Sequence, residues 1–195
     1  MTRPRRNDHL REDLLEKGIE LLTVHGYHGT GLKQILDEVK VPKGSFYHYF
    51  ASKEKFVAEV IERYSQKVAE QLDSYLNHTS DDPVTAIKNI HFYIIQLLEK
   101  DPKGCLVGNL SAEMGNESPD CSLAMQGAIR EWGKRIVRLI QNAQNQKLMR
   151  RDVDAEVLAD ILWNAWQGGL LRMQIEGSTT SLIKSLDVLI GVLFV

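Results

Sequence analysis

Apolar residues recur along this chain at three- and four-residue spacings, and no stretch shows convincing strand alternation. Leu10, Leu14, Leu15, Leu21 and Leu22 lie at helical spacing, and Gly26 should stop that first helix. After the turn Gly26–Gly31, the residues Leu32, Ile35, Leu36 and Val39 predict a second, short helix. Lys40–Val41 then turns into a third helix opened by Pro42, whose missing N–H costs nothing in a first turn. Two short helices joined by a tight turn and backed by a longer one make a helix-turn-helix. Ser52 can cap the next helix. Its apolar positions Phe56, Val60, Tyr64, Val68, Leu72 and Leu76 repeat every four residues to about Asn77. That is roughly 37 Å of helix.

Asp81-Asp82-Pro83 breaks this strut, and Pro83 opens a fifth helix ending near Asp101-Pro102. A short sixth helix is expected from about Cys105. Ser118-Pro119 caps a seventh, which runs to about Gln146. Leu158, Ile161, Leu162, Ala165 and Leu170 mark an eighth, and Leu182, Leu186, Leu189, Ile190 and Leu193 a ninth. The fold class is therefore all-α. About nine helices are expected, with an N-terminal three-helix helix-turn-helix domain over residues 1–52. A C-terminal helical effector-binding and dimerisation domain covers 53–195.

The short third helix carries the chemistry. Phe46 and Phe50 lie four apart and can anchor one side. Lys43, Ser45, Tyr47 and His48 then point elsewhere, and Gly44 permits close backbone approach. A small, polar, basic face on an anchored helix suits the major groove of DNA. Lys53, beside a helix N-terminus, suits a phosphate.

Charge changes the picture only when the chain is divided. The net charge is −2, but residues 1–55 carry 10 Lys and Arg against 8 Asp and Glu, while the remaining residues carry 14 against 18. Four of the six histidines also lie in the first part. Arg3, Arg5 and Arg6 read as a flexible arm, either solvated or touching DNA. No apolar run approaches the ~20 residues of a membrane span, and Met1–Asn7 lacks the apolar segment of a secretory signal. Two cysteines make no disulfide framework or metal cluster and fit a reducing, cytoplasmic compartment. No cofactor or metal is expected. His25 and His28 are spaced i, i+3, but Gly26 intervenes and no further ligand is near.

Gly26-Tyr27, Thr30, Ile35, the run Val41–Phe50, and Ser52-Lys53-Glu54 resemble the N-terminal signature of TetR-family transcriptional repressors. The similarity covers about 45 residues. Members often have Ala-Gly where this chain has Val39-Lys40, and serine where it has Pro42. The resemblance implies a homodimer on double-stranded, pseudo-palindromic operator DNA, controlled by a small-molecule effector, with no membrane partner. It implies DNA contacts from Lys43, Gly44, Ser45, Tyr47 and His48, with Thr30 and Lys53 on phosphates.

A second segment, Gly104-Cys105-Leu106-Val107-Gly108-Asn109-Leu110-Ser111-Ala112-Glu113, is similar to one in a TetR subgroup that includes the electrophile-sensing repressors responsive to N-ethylmaleimide. Members sensing other small molecules share it. Cys105 and Asn109 are therefore sensor candidates. Cys105 should meet a helix N-terminus with Lys100 and Lys103 near in sequence, which favours the nucleophilic thiolate. Cys121, next to Asp120, should be less reactive.

Trp163 and Trp166 can line an effector pocket, with Met114, Met125 and Met173, although Met and Trp in helices are more often core; Arg172 can receive an anionic effector or merely solvate the dimer rim. The pair Gly168-Gly169 and the wide apolar stripe of the last helix suggest a four-helix bundle shared by two copies. The function expected is a repressor released from its operator by an effector, with a reactive electrophile or oxidant acting at Cys105. The alternative keeps the repressor but makes the effector non-covalent and apolar and Cys105 passive. A cysteine-dependent enzyme is disfavoured, because Cys105 has no recognisable His/Asp constellation.

Overall fold

Gly26 marks the first place where backbone conformation decides the architecture. The first helix, α1 (Arg6–Gly29), is interrupted there by φ 68° and ψ −174°, a combination open to glycine and closed to residues with a Cβ. The chain then enters α2 (Leu32–Val39) and α3 (Lys43–Tyr49). These details come from a computed structural model that describes the backbone of residues 6–79 and 81–193, with side chains of 6–8 and 192–193 outside the description. The arginines Arg3 and Arg5 lie outside the described residues, and so does the side chain of Arg6.

α2 ends in a Schellman turn. Lys40 sits in the left-handed region at φ 58°, its N–H donates to the Asp37 carbonyl, and Val41 N–H donates to Leu36. A left-handed non-glycine residue costs about 1–2 kcal/mol, and this is the position where the resembling family often has glycine. Pro42 stands one residue earlier than expected. It occupies the N-cap of α3 in an extended conformation.

The remaining helices are α4 (Lys53–His78), α5 (Pro83–Lys100), α6 (Leu106–Met114), α7 (Pro119–Asn145), α8 (Ala155–Glu176) and α9 (Thr180–Val188). A π-helical turn, Leu189–Leu193, follows α9. Nine α-helices and no strand are present among the described residues. Asp82 caps α5, its carboxylate accepting from the N–H groups of Val84 and Thr85. No helix among the described residues is long and apolar enough to cross a membrane.

The chain forms two compact units, Met1–Lys67 with Leu106–Ala128 and Val68–Cys105 with Ile129–Val195. Compactness thus draws a different line from the functional division expected at residue 52. The reason is that α6 packs with α1, although some eighty residues separate them in sequence. In the first unit, α1 buries Leu14, Leu15, Leu21 and Leu22, α2 buries Ile35 and Leu36, and α4 buries Phe56, Val57, Val60 and Ile61. The second unit has its own core, with Ile87 and Ile95 of α5, Ile136 and Ile140 of α7, Leu162 and Leu170 of α8, and Leu182 and Leu186 of α9. At about 25 cal/mol per Å² of buried apolar area, cores of this kind are the main favourable contribution to folding.

Candidate nucleic-acid interface

α3 has two faces. Phe46 is fully buried and meets Phe50 and Phe56, with ring centroids 5.2 and 5.3 Å away; Phe50 and Phe56 are 4.9 Å apart. Arg11 lies over Phe50, its guanidinium carbon 5.5 Å from the ring centroid, and closes the cluster. The opposite face is open. Lys43, Gly44, Tyr47 and His48 are exposed and Ser45 is half-buried, with Tyr47 showing 51% of its surface. A rigid aromatic anchor therefore presents a mixed face of donors, acceptors and one aromatic ring, the inventory needed to read base edges and phosphates.

Two residues expected on phosphates have other occupations. Thr30 is fully buried, and its hydroxyl lies 2.7 Å from the Gly26 carbonyl and 3.3 Å from that of Leu21. It closes the turn after α1 instead of facing outward. Lys53 donates from Nζ to the Tyr27 carbonyl at 2.7 Å, and the ammonium stands 3.9 Å from the centre of the Tyr27 ring. Burial holds its pKa below the ordinary value. The lysine thus ties the start of α4 to the α1–α2 turn. Ser52 caps α4, its hydroxyl accepting from Lys55 N–H.

The same turn has further supports that local sequence patterning does not reveal. The Tyr27 hydroxyl donates to Glu54 at 2.5 Å. That bond, then the Ser52 hydroxyl, holds the Glu54 carboxyl down to about 2. From α6, Glu113 accepts from the N–H groups of Tyr27 at 3.2 Å and His28 at 2.9 Å. Asn109 donates to the Thr23 carbonyl at 2.9 Å. Asn109, expected among the effector residues, is thus engaged with α1. Farther along, Arg11 pairs with Glu59, Arg63 with Glu12 and Glu16, and Lys67 with Glu16, joining α1 to α4.

The two cysteines are not joined in a disulfide. Cys121 is buried, with Sγ 3.5 Å from the Glu54 carbonyl. Burial is the main influence pushing its thiol up, and Asp120 and Glu54 add to the effect. Cys105 immediately precedes α6, is half-buried, and packs against the second unit's core. In that unit Trp166 is buried and Trp163 half-buried. Trp163 packs on Trp132 at 4.9 Å between ring centroids. His91 lies edge-on to Trp166 at 5.1 Å, fully desolvated and bonded through Nδ1 to the Ile87 carbonyl, and burial keeps its pKa below the usual value. His91 carried no signal in the sequence beyond its residue type. The Gln167 Nε2, one turn beyond Trp163, is buried and has no hydrogen-bond partner. Among the described residues, no cluster of three or more His, Cys, Asp or Glu could hold a metal.

Comparison with known proteins decides the family. Residues 14–60 match the N-terminal signature described as Bacterial regulatory proteins, tetR family. Residues 83–188 match the Tetracyclin repressor-like, C-terminal domain. The chain belongs to the TetR family of transcriptional regulators.

Within that family it is 35% identical to the HTH-type transcriptional repressor DhaR of Mycobacterium sp. strain GP1, over 92% of this chain and 89% of that one. It is 32% identical to the repressor NemR of Escherichia coli K12, over 90% and 89%. The crystal structure of a TetR regulatory protein from Rhodobacter sphaeroides superposes with a TM-score of 0.87 at 33% identity, covering 95% of this chain and 99% of that one. The crystal structure of E. coli NemR in its reduced form gives 0.83 at 29% identity, covering 93% and 95%. The chain is a TetR-family transcriptional repressor with a helix-turn-helix head. It is not an enzyme, and the all-helical fold is the family's own.

Proposed function

We propose that this repressor binds a pseudo-palindromic operator as a homodimer and is released when a reactive electrophile or oxidant modifies Cys105. The observation that carries the DNA-binding half is the exposed face Lys43, Gly44, Tyr47 and His48 on the buried Phe46–Phe50–Phe56 anchor. Ser45, half-buried, stands at its edge, while Lys53 is held on the Tyr27 carbonyl and steadies the start of α4 behind it. The functional division is then a reading domain over 1–52 and an effector and dimerisation domain over 53–195, working in the cytoplasm.

Dimerisation is supported by α8. Val157, Ile161, Leu171 and Ile175 are exposed along one face of α8, Ile175 to 77%, with the exposed Asn164 between them and Val188 of α9 also exposed. Gly168 lies in the same stripe, and a Cβ there would meet nothing within 4 Å, whereas one at Gly169 would strike Leu182. An apolar, partly smooth helix face of this length fits a second copy of itself. A C2 pair would set the two α3 helices at half-sites about one DNA turn apart, ~34–36 Å.

Release at Cys105 is supported by its place, half-exposed at the residue before α6. NemR, a relative crystallised in a reduced form, makes redox or electrophile chemistry the first to test. With a maleimide, Sγ bonds to an alkene carbon and the displaced electron pair takes a proton from water. With a peroxide, Sγ takes an oxygen and becomes a sulfenic acid, and water leaves. The second reading is a non-covalent effector of largely apolar character. The unpartnered Gln167 amide and the half-buried Trp132–Trp163 pair favour it.

The test is a mobility-shift assay on the DNA upstream of the protein's own gene, with wild type and Cys105→Ser, before and after N-ethylmaleimide. We expect a salt-sensitive complex with both proteins and release of wild type alone. If Cys105→Ser is released at the same dose, Cys105 is not the residue through which the reagent acts and the covalent reading at Cys105 is wrong.

A further inference from the structure

The turn between α1 and α2 is gripped by one face of α6. Asn109 and Glu113 lie four residues apart, hence on one side of that helix. They reach α1 on either side of its break. Upstream, Asn109 donates to the Thr23 carbonyl, one of those the break leaves without a helical donor. Downstream, the two carboxylate oxygens of Glu113 accept separately from Tyr27 N–H and His28 N–H, the first donors of the turn that restarts after Gly26. Glu113 is in effect the N-cap of that turn, supplied from a segment 85 residues away. The fit leaves no room for a side chain at residue 26. A Cβ on Gly26 would lie 2.0 Å from Glu113 Oε1, and φ +68° disfavours one independently.

We propose that Glu113 is a positioning residue of the DNA-reading head, and that its clamp on Tyr27 and His28 is the contact through which a displacement of α6 changes operator affinity. The inference rests on the reading that the signal enters at Cys105, because the chain passes from the second compact unit into the first between Cys105 and Leu106. Hydrogen bonds are short-ranged and directional. A shift of α6 by about 1 Å takes both bonds past useful length, while apolar contacts tolerate the same shift with smaller loss. The turn is also tied to α4 through Lys53 on the Tyr27 carbonyl, so opening the clamp loosens the whole entry to α2 and α3. Thr30, bonded to the Gly26 carbonyl, would carry the change into the first residues of α2.

The test uses the full-length protein and two readouts. Glu113→Gln keeps the shape but offers one neutral acceptor oxygen in place of two charged ones, so one of the two N–H groups loses its partner and the other keeps a weaker, uncharged bond. The first readout is amide hydrogen exchange at Tyr27 and His28, which needs no DNA. The second is affinity for the operator fragment. Exchange at both amides should rise, and the operator should bind about tenfold more weakly, the loss of one charge-assisted bond at a half-exposed site. Gly26→Ala should reproduce both changes. In wild type, N-ethylmaleimide should raise exchange at the same two amides, and in Glu113→Gln it should weaken operator binding less than in wild type. Unchanged exchange in Glu113→Gln, or raised exchange with unchanged operator affinity, overturns the positioning role. Release of wild type by the maleimide with no change at Tyr27 and His28 overturns the coupling. A maleimide without effect on wild type, together with weakened binding by Glu113→Gln, leaves the clamp standing and removes Cys105 as the entry point.

Discussion

α3 and α6 are the two shortest helices of the first compact unit apart from α2, and they use their polar residues in opposite ways. Both bury an apolar face: Phe46 in α3, and Leu106, Val107, Leu110 and Met114 in α6. In α3 the polar residues Lys43, Tyr47 and His48 are left facing solvent. In α6 the polar residues Asn109 and Glu113 turn inward and satisfy the backbone of α1. The difference separates two jobs. A helix held only by apolar burial keeps a fixed orientation and an outer face available to a partner. A helix held also by directional bonds to a neighbour's backbone moves that neighbour whenever it moves itself.

The comparison breaks most decisively if α3 is not held by its aromatic anchor. Phe46→Ala removes the ring that meets both Phe50 and Phe56 from a fully buried site. The expected cost is about 3–5 kcal/mol of stability, a large part of the ~5–15 kcal/mol typical of a domain. Thermal or urea unfolding followed by circular dichroism would measure it, and operator binding should be lost with it. A loss below about 1 kcal/mol would mean that burial does not fix α3.

Tyr47→Ala sharpens the same contrast from the outer face. Its ring is edge-on to Phe46 at 5.4 Å but half its surface is open. Unfolding stability should change by less than about 1 kcal/mol, while operator binding weakens by about 1–3 kcal/mol, the range of a specific base contact. Parallel urea unfolding and anisotropy titrations on operator DNA separate the two. A stability loss matching that of Phe46→Ala would make Tyr47 a packing residue.

What could be read in advance follows the same division. The anchor of α3 was legible because Phe46 and Phe50 are near neighbours in sequence and their spacing alone sets a face. The break at Gly26, the Ser52 cap and the nine-helix order were legible for the same reason, since each is decided within a turn or two. Pro42 fell one residue from its expected place, and α6 begins one residue after Cys105, shifts of the size expected at helix ends. The roles of Thr30, Lys53, Asn109 and Glu113 were not legible. Each depends on a backbone group that only tertiary packing brings near, and a polar residue on a helix looks the same whether it faces water or a broken helix end. His91 is a similar case, because nothing local marks a histidine that packs among tryptophans.

The smallest expected effect concerns the other hold on the same turn, from α4. Tyr27→Phe removes the hydroxyl that donates to Glu54 and leaves the Glu113 clamp, which uses only the Tyr27 backbone, in place. At pH 7 the loss should be about 0.5–1.5 kcal/mol, toward the low end because water screens a carboxylate this accessible. Its pH dependence identifies the bond. Glu54 has a folded pKa of about 2, below the usual 4.5. The unfolded chain therefore takes up the proton first on acidification. The stabilisation is complete above about pH 4.5 and fades as the pH falls toward 2. Urea unfolding of wild type and Tyr27→Phe at pH 7, 4 and 3 should show their difference shrinking in that order. A constant difference would mean that the hydroxyl acts by packing and not through Glu54. Operator affinity should change less than in Glu113→Gln. An equal or larger change would shift the control of the turn from α6 to α4, and with it the contrast between α3 and α6.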